Sequence, residues 1–320
     1  MERLLAALKA VSEPTRLRIL ALCRRSELSV TDLTQILGQS QPRVSRHLKL
    51  LCDARLLDRF REGTFAYFRL ADRGPGARLA QSLVTQIPPD DPVLKRDAER
   101  LDAIKRERAT QAAAYFRDNA AQWDEIRGLH IADSEVEREI IDLMPQGGVD
   151  DLLDLGTGTG RMLVVLGPLA RRGIGIDMSR EMLALARAHL DRAGLPQCQV
   201  RQGDLYQLPL PSSAFDFAVM HQVLHFLEDP ADALAEAARV IRPGGVLVIA
   251  DFAAHELAVL QRDHAHRWLG FPDETVARWL ADAGFQPERI RHLPGGPLTV
   301  SVWAARRTAA AAGGHARVAG

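Results

Sequence analysis

Apolar residues in the first 87 residues recur at helical spacing and predict a small bundle of helices. Val44, Leu48 and Leu51 would form the buried stripe of a helix that runs from about Gln41 to Ala54. Capping residues and glycines divide this region into four helices, a two-stranded hairpin and a further helix. A helix, a tight turn, a second helix and a hairpin in this order predict a winged helix-turn-helix.

Local signals predict where several of these elements begin and end. Ser12 is expected to cap a helix that ends at Cys23. Ser29 and Asp32 have the spacing of a capping box at the start of the next helix. The segment Glu62–Thr64 is expected to be the hairpin turn, because its glycine can adopt positive φ.

After residue 150 the pattern changes to short apolar runs that alternate with helical segments. Such alternation predicts a parallel sheet covered by helices on both faces. The expected strands lie near 150–155, 173–177, 199–203, 214–220, 245–251 and 298–305.

A segment rich in proline and aspartate, Pro88–Pro92, interrupts the pattern and marks a domain boundary. From Val93 to about Arg127 the chain is rich in Ala, Arg and Glu, and we expect a connecting helix followed by a helix of the second domain. This segment is either a solvated spacer or a dimerising coil. Its intermittent apolar anchors are Leu94, Leu101, Ile104, Tyr115, Phe116 and Trp123.

Composition bounds the class of protein. With 320 residues and 47% hydrophobic content, the chain can form two domains. The net charge of zero conceals an asymmetry: residues 1–87 contain 15 Lys and Arg against 8 Asp and Glu, and the remainder contains 26 against 33. A basic N-terminal region is expected where only that region contacts phosphate groups. No apolar run approaches the roughly 18 residues of a membrane span, and no signal peptide is visible, so we expect a cytoplasmic protein.

A glycine loop follows the first expected strand of the second domain. Gly156, Gly158 and Gly160 would let the backbone turn sharply and approach a ligand beyond the carboxyl ends of the strands. Dinucleotide-binding folds have a similar pattern, so the loop alone does not discriminate. Asp177, at the end of the second strand, suits ribose hydroxyls, and Asp204, after the third, suits an adenine amino group.

Five motifs in order, from the glycine loop through Ser213–Val219 and Leu224–Pro230 to Arg242–Leu247, resemble class I S-adenosylmethionine-dependent methyltransferases, especially the UbiE-like group. The resemblance covers about residues 112–306. It implies a Rossmann-like α/β domain with a seven-stranded, mostly parallel sheet whose last strand is antiparallel. It also implies S-adenosyl-L-methionine or S-adenosyl-L-homocysteine in the pocket. The expected cofactor-binding residues are Asp154, Gly156, Thr157, Gly158, Gly160, Asp177, Met178, Asp204, Leu205 and His221.

The sequence does not identify a catalytic residue. Methyl transfer from an activated sulfonium needs mainly positioning of the acceptor, and sometimes a base. His221 and His225 follow the fourth strand and are the candidates for that base, and His255, His264 and His266 follow the fifth. A packing or surface role for these histidines is the favoured alternative.

The front region resembles ArsR-type winged-helix repressors from Pro14 through the helix that begins near Gln41 to the hairpin. The polar residues expected to contact DNA are Ser40, Gln41, Arg43, Ser45, Arg46, His47, Lys49 and Arg61. The resemblance implies that many family members sense metal through a cysteine pair at the start of the third helix. The matching stretch here, Leu28–Leu33, has no cysteine pair, and the helix expected over Gly76–Ile87 has no clear Asp and His set. The three cysteines (Cys23, Cys52 and Cys198) are scattered, so no metal site is expected.

Together these features predict a DNA-binding domain at 1–87, a linker with connecting helices at 88–127, a cofactor-binding methyltransferase-like domain at 128–307 and a disordered tail at 308–320. The leading hypothesis is a homodimeric transcription regulator, by default a repressor, that binds double-stranded operator DNA. It would sense S-adenosylhomocysteine or S-adenosylmethionine and control methionine-cycle genes. The alternatives are an active methyltransferase with an autoregulatory DNA-binding domain, and a structural dimerisation module with an empty pocket.

Overall fold

The computed structural model describes residues 2–62, 65–71, 74–88, 90–127, 132–257, 260 and 266–308. The centre of the expected hairpin turn (63–64), His264 and residues 309–320 of the expected tail lie outside this part of the chain. The same holds for the side chains of Tyr115, Phe116 and Trp123. Within the described residues, no helix is both long enough and apolar enough to cross a membrane.

The N-terminal region is a winged helix-turn-helix, as the sequence predicts. Its elements are α1 Glu2–Val11, α2 Pro14–Arg25, β1 Leu28–Ser29, α3 Val30–Leu37, α4 Gln41–Asp53, β2 Leu57–Glu62, β3 Phe65–Leu70 and α5 Gly74–Gln86. The strands form an antiparallel sheet in the order β1-β3-β2. The predicted stripe of α4 is confirmed, because Val44, Leu48 and Leu51 are all buried in the core of this region.

The two predicted helix caps have different outcomes. The capping box is confirmed: Asp32 N–H donates to Ser29 Oγ (3.1 Å), and Ser29 N–H donates to Asp32 Oδ2 (2.7 Å). The cap at Ser12 is wrong, because the extended residue before α2 is Glu13, whose carboxylate accepts from Arg16 N–H (3.0 Å). Ser12 instead donates its hydroxyl to Lys9 O at the end of α1. Either side chain can accept a bond from a helix N–H, so local chemistry did not separate the two positions.

A 36-residue helix, α6 (Pro92–Arg127), follows the N-terminal region. Its first half packs against that region through Leu101 and Ile104, which are buried in the same core. Asp97 accepts two bonds from Arg18 (2.6 and 2.7 Å). The beginning of α6 is thus held by both apolar packing and a bidentate ion pair.

The second region is a seven-stranded α/β domain. Its elements are α7 Asp133–Asp142, β4 Val149–Leu155, α8 Arg161–Leu166, β5 Ala170–Asp177, α9 Arg180–Ala193, β6 Cys198–Gln202, β7 Phe215–His221, α10 Pro230–Val240, β8 Ile241–Phe252, α11 Asp273–Asp282, β9 Phe285–Pro294 and β10 Thr299–Arg307. The strand order is β6-β5-β4-β7-β8-β10-β9. The first five strands in this order run parallel, and β10 is antiparallel to both of its neighbours, as the resemblance implies. Apolar clusters cover both faces of the sheet.

One strand, β9, was missing from the expected positions. It forms the edge of the sheet, and most of its side chains are exposed. An edge strand without a buried face has no reason to carry an alternating apolar pattern. Periodicity therefore could not reveal it.

Candidate nucleoside pocket and DNA-reading surface

The glycine loop joins β4 to α8, and all three of its predicted glycines have positive φ: +70° at Gly156, +51° at Gly158 and +77° at Gly160. A Cβ at Gly156 would lie 2.5 Å from Val223 Cγ2, and one at Gly160 would lie 3.0 Å from Ala186 Cβ. At Gly158 a Cβ would meet nothing within 4 Å. Two of the glycines therefore permit close packing beneath the loop, and Gly158 keeps its backbone on the open side.

Asp177 lies beside this loop at the end of β5. Its Oδ2 accepts from Gly158 N–H (2.8 Å), and its Oδ1 accepts from Ser179 N–H (2.8 Å). Ser179 in turn caps α9 through a bond from Met182 N–H (3.2 Å). The Asp177 carboxylate thus connects the glycine loop to the first turn of α9. Met178, the next residue in the chain, is 67% exposed.

Asp154 and Thr157 form the buried floor of the loop. Asp154 is 1% exposed and accepts a bond of 2.5 Å from the Thr157 hydroxyl. Burial raises the pKa of Asp154 to about 7, and the charge of Asp177 acts in the same direction, against the lowering by the Thr157 bond. This carboxyl therefore titrates close to neutral pH.

The other expected pocket residues lie at the same edge of the sheet. The parallel order β6-β5-β4-β7 brings Asp204, Asp177, the glycine loop and His221 to neighbouring strand ends. Asp204 is exposed, and its Oδ1 accepts from Tyr206 N–H (3.0 Å). Leu205 belongs to the apolar core, and His221 is half-buried at the end of β7.

The open backbone at Gly158 and the adjacent carboxylate of Asp177 fit a nucleoside ligand, because such a loop offers close approach and a carboxylate accepts from ribose hydroxyls. S-adenosylmethionine, when bound, supplies a methyl group that its sulfonium has already activated. Residues around such a ligand would orient it and exclude water.

His225 forms a buried pair with Asp251, a residue that sequence reasoning did not select. The two side chains are 2% and 0% exposed, and Nδ1 lies 2.7 Å from Oδ1. Burial raises the pKa of Asp251, but His225 and backbone N–H bonds outweigh it and hold that pKa below its usual range. The His266 ring stacks on His225 with centroids 4.0 Å apart. These contacts hold the His225 ring in one position, which fits a role in packing.

The DNA-reading surface is built on α4. The expected DNA contacts Ser40, Gln41, Arg43, Ser45, Arg46, Lys49 and Arg61 are all exposed. His47 differs from them, because its side chain is 12% exposed and lies 3.7 Å from Glu13 Oε2. Burial lowers the pKa of His47, although the charge of Glu13 opposes this. The exposed polar face of α4 therefore does not include His47.

The cysteines are reduced and shielded. Burial raises the pKa of Cys52 to about 11 and that of Cys198 to about 12, and it raises the pKa of Cys23 further. The thiols therefore stay protonated at neutral pH. Within the described part of the chain, no group of three or more His, Cys, Asp or Glu residues is arranged to hold a metal ion.

Contacts between the two regions involve residues that sequence reasoning missed. Arg187 on α9 lies 3.3 Å from Glu27, which precedes β1, and its guanidinium lies 4.0 Å from the centre of the Tyr67 ring on β3. Asp191, one turn further along α9, accepts from the Ser26 hydroxyl (2.9 Å) and pairs with Lys105 (3.0 Å). These partners lie far apart in sequence, so no local pattern connects them.

Comparisons with known proteins agree with this architecture. Residues 153–249 match the family described as "Methyltransferase domain", and residues 13–59 match "Bacterial regulatory protein, arsR family". A probable S-adenosylmethionine-dependent methyltransferase of Mycolicibacterium smegmatis is 37% identical over 99 residues, which are 31% of this chain and 37% of that protein. The chain spans less than half of the length of several curated relatives that it matches.

Two further relatives cover the second domain more completely. The phosphatidylethanolamine N-methyltransferase of Cereibacter sphaeroides is 31% identical over 182 residues, which are 53% of this chain and 86% of that protein. The crystal structure of geranyl diphosphate C-methyltransferase from Streptomyces coelicolor, in complex with S-adenosyl-L-homocysteine, matches with a TM-score of 0.50 and 17% identity, over 55% of this chain and 81% of that one. The structural match shows the fold. The chain belongs to the class I S-adenosylmethionine-dependent methyltransferase family and carries, in front of that domain, an arsR-family DNA-binding domain.

Proposed function

We propose that this chain is a transcription regulator, acting as a repressor, whose second domain senses S-adenosylhomocysteine or S-adenosylmethionine. Its targets would be methionine-cycle genes. The domain limits that go with this proposal are 1–87 for DNA binding, 88–127 for the linker and 128–307 for ligand binding. The single observation that carries the proposal is the course of α9, which begins at the nucleoside pocket and ends against the DNA-binding domain.

The contacts at the two ends of α9 support a coupling between the sites. At its first turn, Ser179 is held by Asp177, which also holds the glycine loop. Along its second half, Arg187 and Asp191 contact Glu27, Tyr67 and Ser26 of the DNA-binding domain. A helix is stiff over this length, so a ligand that repositions the first turn also shifts the contacts of the last.

The energy required is modest. A hundredfold change in DNA affinity corresponds to about 2.7 kcal/mol of coupling. The ligand must prefer one arrangement of the two domains over the other by that amount. The buried ion pair that Arg187 of α9 makes with Glu27 of the DNA-binding domain is of sufficient size, since breaking one buried pair costs about 3 kcal/mol.

Exposed apolar residues support a homodimer. Leu4, Leu5 and Leu8 on α1 are 49%, 49% and 41% exposed. A second copy would cover this face and present two α4 helices to successive major grooves of operator DNA.

The test measures binding of the full-length protein to its own upstream DNA by fluorescence anisotropy at moderate salt. S-adenosylmethionine and S-adenosylhomocysteine are titrated separately. We expect one of them to change DNA affinity at least tenfold, and the variant Asp177→Ala to lose that response while it still binds DNA. Tight DNA binding that neither compound alters would refute the sensor.

A second candidate function is methyl transfer, and the relatives named as methyltransferases favour it. The DNA-binding domain would then regulate expression of the same enzyme. The discriminating measurement is the release of S-adenosylhomocysteine from S-adenosylmethionine in the presence of candidate acceptors. No release above the level seen with the Asp177→Ala variant would exclude this function for those acceptors.

A further inference from the structure

We propose that a cavity between the two domains is a second ligand site, which takes a phosphorylated small molecule of nucleotide size. The cavity has a volume of about 480 Å³ and lies between the end of α2 and β3 on one side and β5 and the second half of α9 on the other. It is separate from the nucleoside pocket, which is at the opposite end of α9. The proposal therefore does not depend on what the nucleoside pocket binds.

The charge of the cavity wall points to an anion. Among the described residues, six arginines line it, three from each domain: Arg24, Arg25 and Arg69 from the DNA-binding domain, and Arg171, Arg172 and Arg187 from the methyltransferase domain. The acidic residues in the described part of the lining are Glu27 from the first domain and Asp191 from the second. The described residues of each wall thus carry a formal charge of +2, and two faces of the same sign repel each other when they are brought together.

Two of the arginines that line the cavity are deeply buried. The side chains of Arg69 and Arg187 are only 10% and 6% exposed, and both approach the same carboxylate, Glu27, at 3.8 and 3.3 Å. Asp191 pairs with Lys105 and Arg108, which lie outside the cavity wall. A guanidinium group that is shielded from water interacts more strongly with an anion than an exposed one does, so these two positions favour an anionic ligand.

The remaining arginines leave the wall positive. Arg25 and Arg171 pair with carboxylates at 3.3 and 3.8 Å, and both are well exposed, so these pairs are weak. Arg172 pairs with Asp151, but that carboxylate is shared with Arg242. Arg24 is exposed and pairs with no acidic group among the described residues.

The chemistry and size of the cavity indicate the class of ligand. Guanidinium groups bind phosphate through paired N–H donors, and their charge persists at every physiological pH. The volume lies in the range of small-molecule sites. Leu70, Leu190, Leu195 and Pro196 also line the cavity and offer apolar surface to an organic group. A ligand that contacts both walls would hold the two domains in one arrangement, and it would therefore act on DNA binding as a second effector.

The test uses uridine diphosphate as the probe, with the full-length protein at low salt and isothermal titration calorimetry. Uridine diphosphate is chosen because it lacks the adenine for which the nucleoside pocket is proposed, and uridine serves as the phosphate-free control. We expect uridine diphosphate to bind and uridine not to. The double variant R24Q/R171Q, at exposed positions, should weaken binding about fivefold or more.

A matched control separates a site from a general charge effect. The double variant R138Q/R278Q removes two exposed arginines from α7 and α11, outside the cavity, and should leave binding unchanged. The Asp177→Ala variant should also bind uridine diphosphate as the unmodified protein does. The proposal is overturned if uridine diphosphate does not bind, if both double variants weaken it equally, or if Asp177→Ala abolishes it. If neither S-adenosylmethionine nor S-adenosylhomocysteine changes DNA binding, the proposed sensor function fails, but the uridine diphosphate measurement still tests the second site.

Discussion

Arg187 and Glu27 form a buried ion pair between the two domains, with Nε of the arginine 3.3 Å from Oε2 of the glutamate and both side chains less than a tenth exposed. The same arginine donates to Val200 O (3.2 Å) within its own domain and covers the Tyr67 ring of the other. A single side chain on α9 therefore ties the sheet of the methyltransferase domain to the hairpin of the DNA-binding domain.

Removing this arginine should destabilise the protein. We expect Arg187→Ala to lower the free energy of unfolding by about 2 kcal/mol, because Val200 O, the Tyr67 ring and Glu27 each lose a buried contact, although Glu27 keeps Arg69. Arg192→Ala, an exposed arginine on the same helix, is the control and should change it by less than about 0.5 kcal/mol. Urea denaturation measures both. Equal losses in the free energy of unfolding for the two variants would mean that the pair of Arg187 and Glu27 does not stabilise the contact between the domains.

Asp154 should make stability depend on pH near neutrality. Its folded pKa of about 7 lies above the ordinary value, so the folded protein retains a proton that the unfolded chain has already released. Stability therefore falls as the pH rises from about 4 to 7 and levels off above that range. Asp154→Asn removes this dependence, and the difference in the free energy of unfolding between the two proteins should change by roughly 2.5 kcal/mol between pH 5 and pH 8. Chemical denaturation at several pH values measures it, and parallel pH curves would contradict the burial effect.

Alanine substitutions at two glycines of the loop should affect stability and ligand binding to different extents. Gly156→Ala forces a methyl group into Val223 at positive φ, and it should cost about 2 kcal/mol or more of stability. Gly158→Ala meets no neighbouring atom, so it should cost only about 1 kcal/mol of backbone strain. We expect Gly158→Ala to weaken S-adenosylhomocysteine binding about tenfold, because the methyl group lies on the open side of the loop. Thermal unfolding and calorimetry test the pair, and the idea fails if Gly158→Ala is the less stable variant.

The face of α4 should divide into residues that contact DNA and one that does not. We expect Arg43→Ala and Arg46→Ala each to reduce DNA affinity about tenfold or more, since both guanidinium groups are exposed. His47→Ala should leave affinity within about twofold and act on stability instead, because the ring faces Glu13. Anisotropy with the upstream DNA, repeated at several salt concentrations, gives the comparison. A loss of DNA affinity in His47→Ala as large as that in Arg43→Ala would contradict this division.

Several features of this protein were predictable because their cause lies within a few residues. The capping box at Ser29 and Asp32 depends on groups three positions apart, and the positive φ of Gly156, Gly158 and Gly160 follows from a tight turn after a strand. The stripe of α4 follows from helical periodicity alone. The seven-stranded sheet with its antiparallel last strand came from the motifs and their resemblance to a known family.

Other features depend on which distant elements come together. Whether Ser12 or Glu13 caps α2 is decided by how α1 meets α2, and β9 joins the sheet because β10 offers it an edge. Asp251 has a role only because β8 places it beside His225.

By itself, then, the sequence determined the two domains, the glycine loop and the polar face of α4, since each follows from local conformation or from motif order. Only the tertiary structure decided that His47 turns towards Glu13, and that α9 carries Arg187 and Asp191 to the DNA-binding domain. The physical reason is that the energy of a buried ion pair depends on both side chains together. Where the partners are more than a hundred residues apart, neither one reveals its partner until the chain has folded.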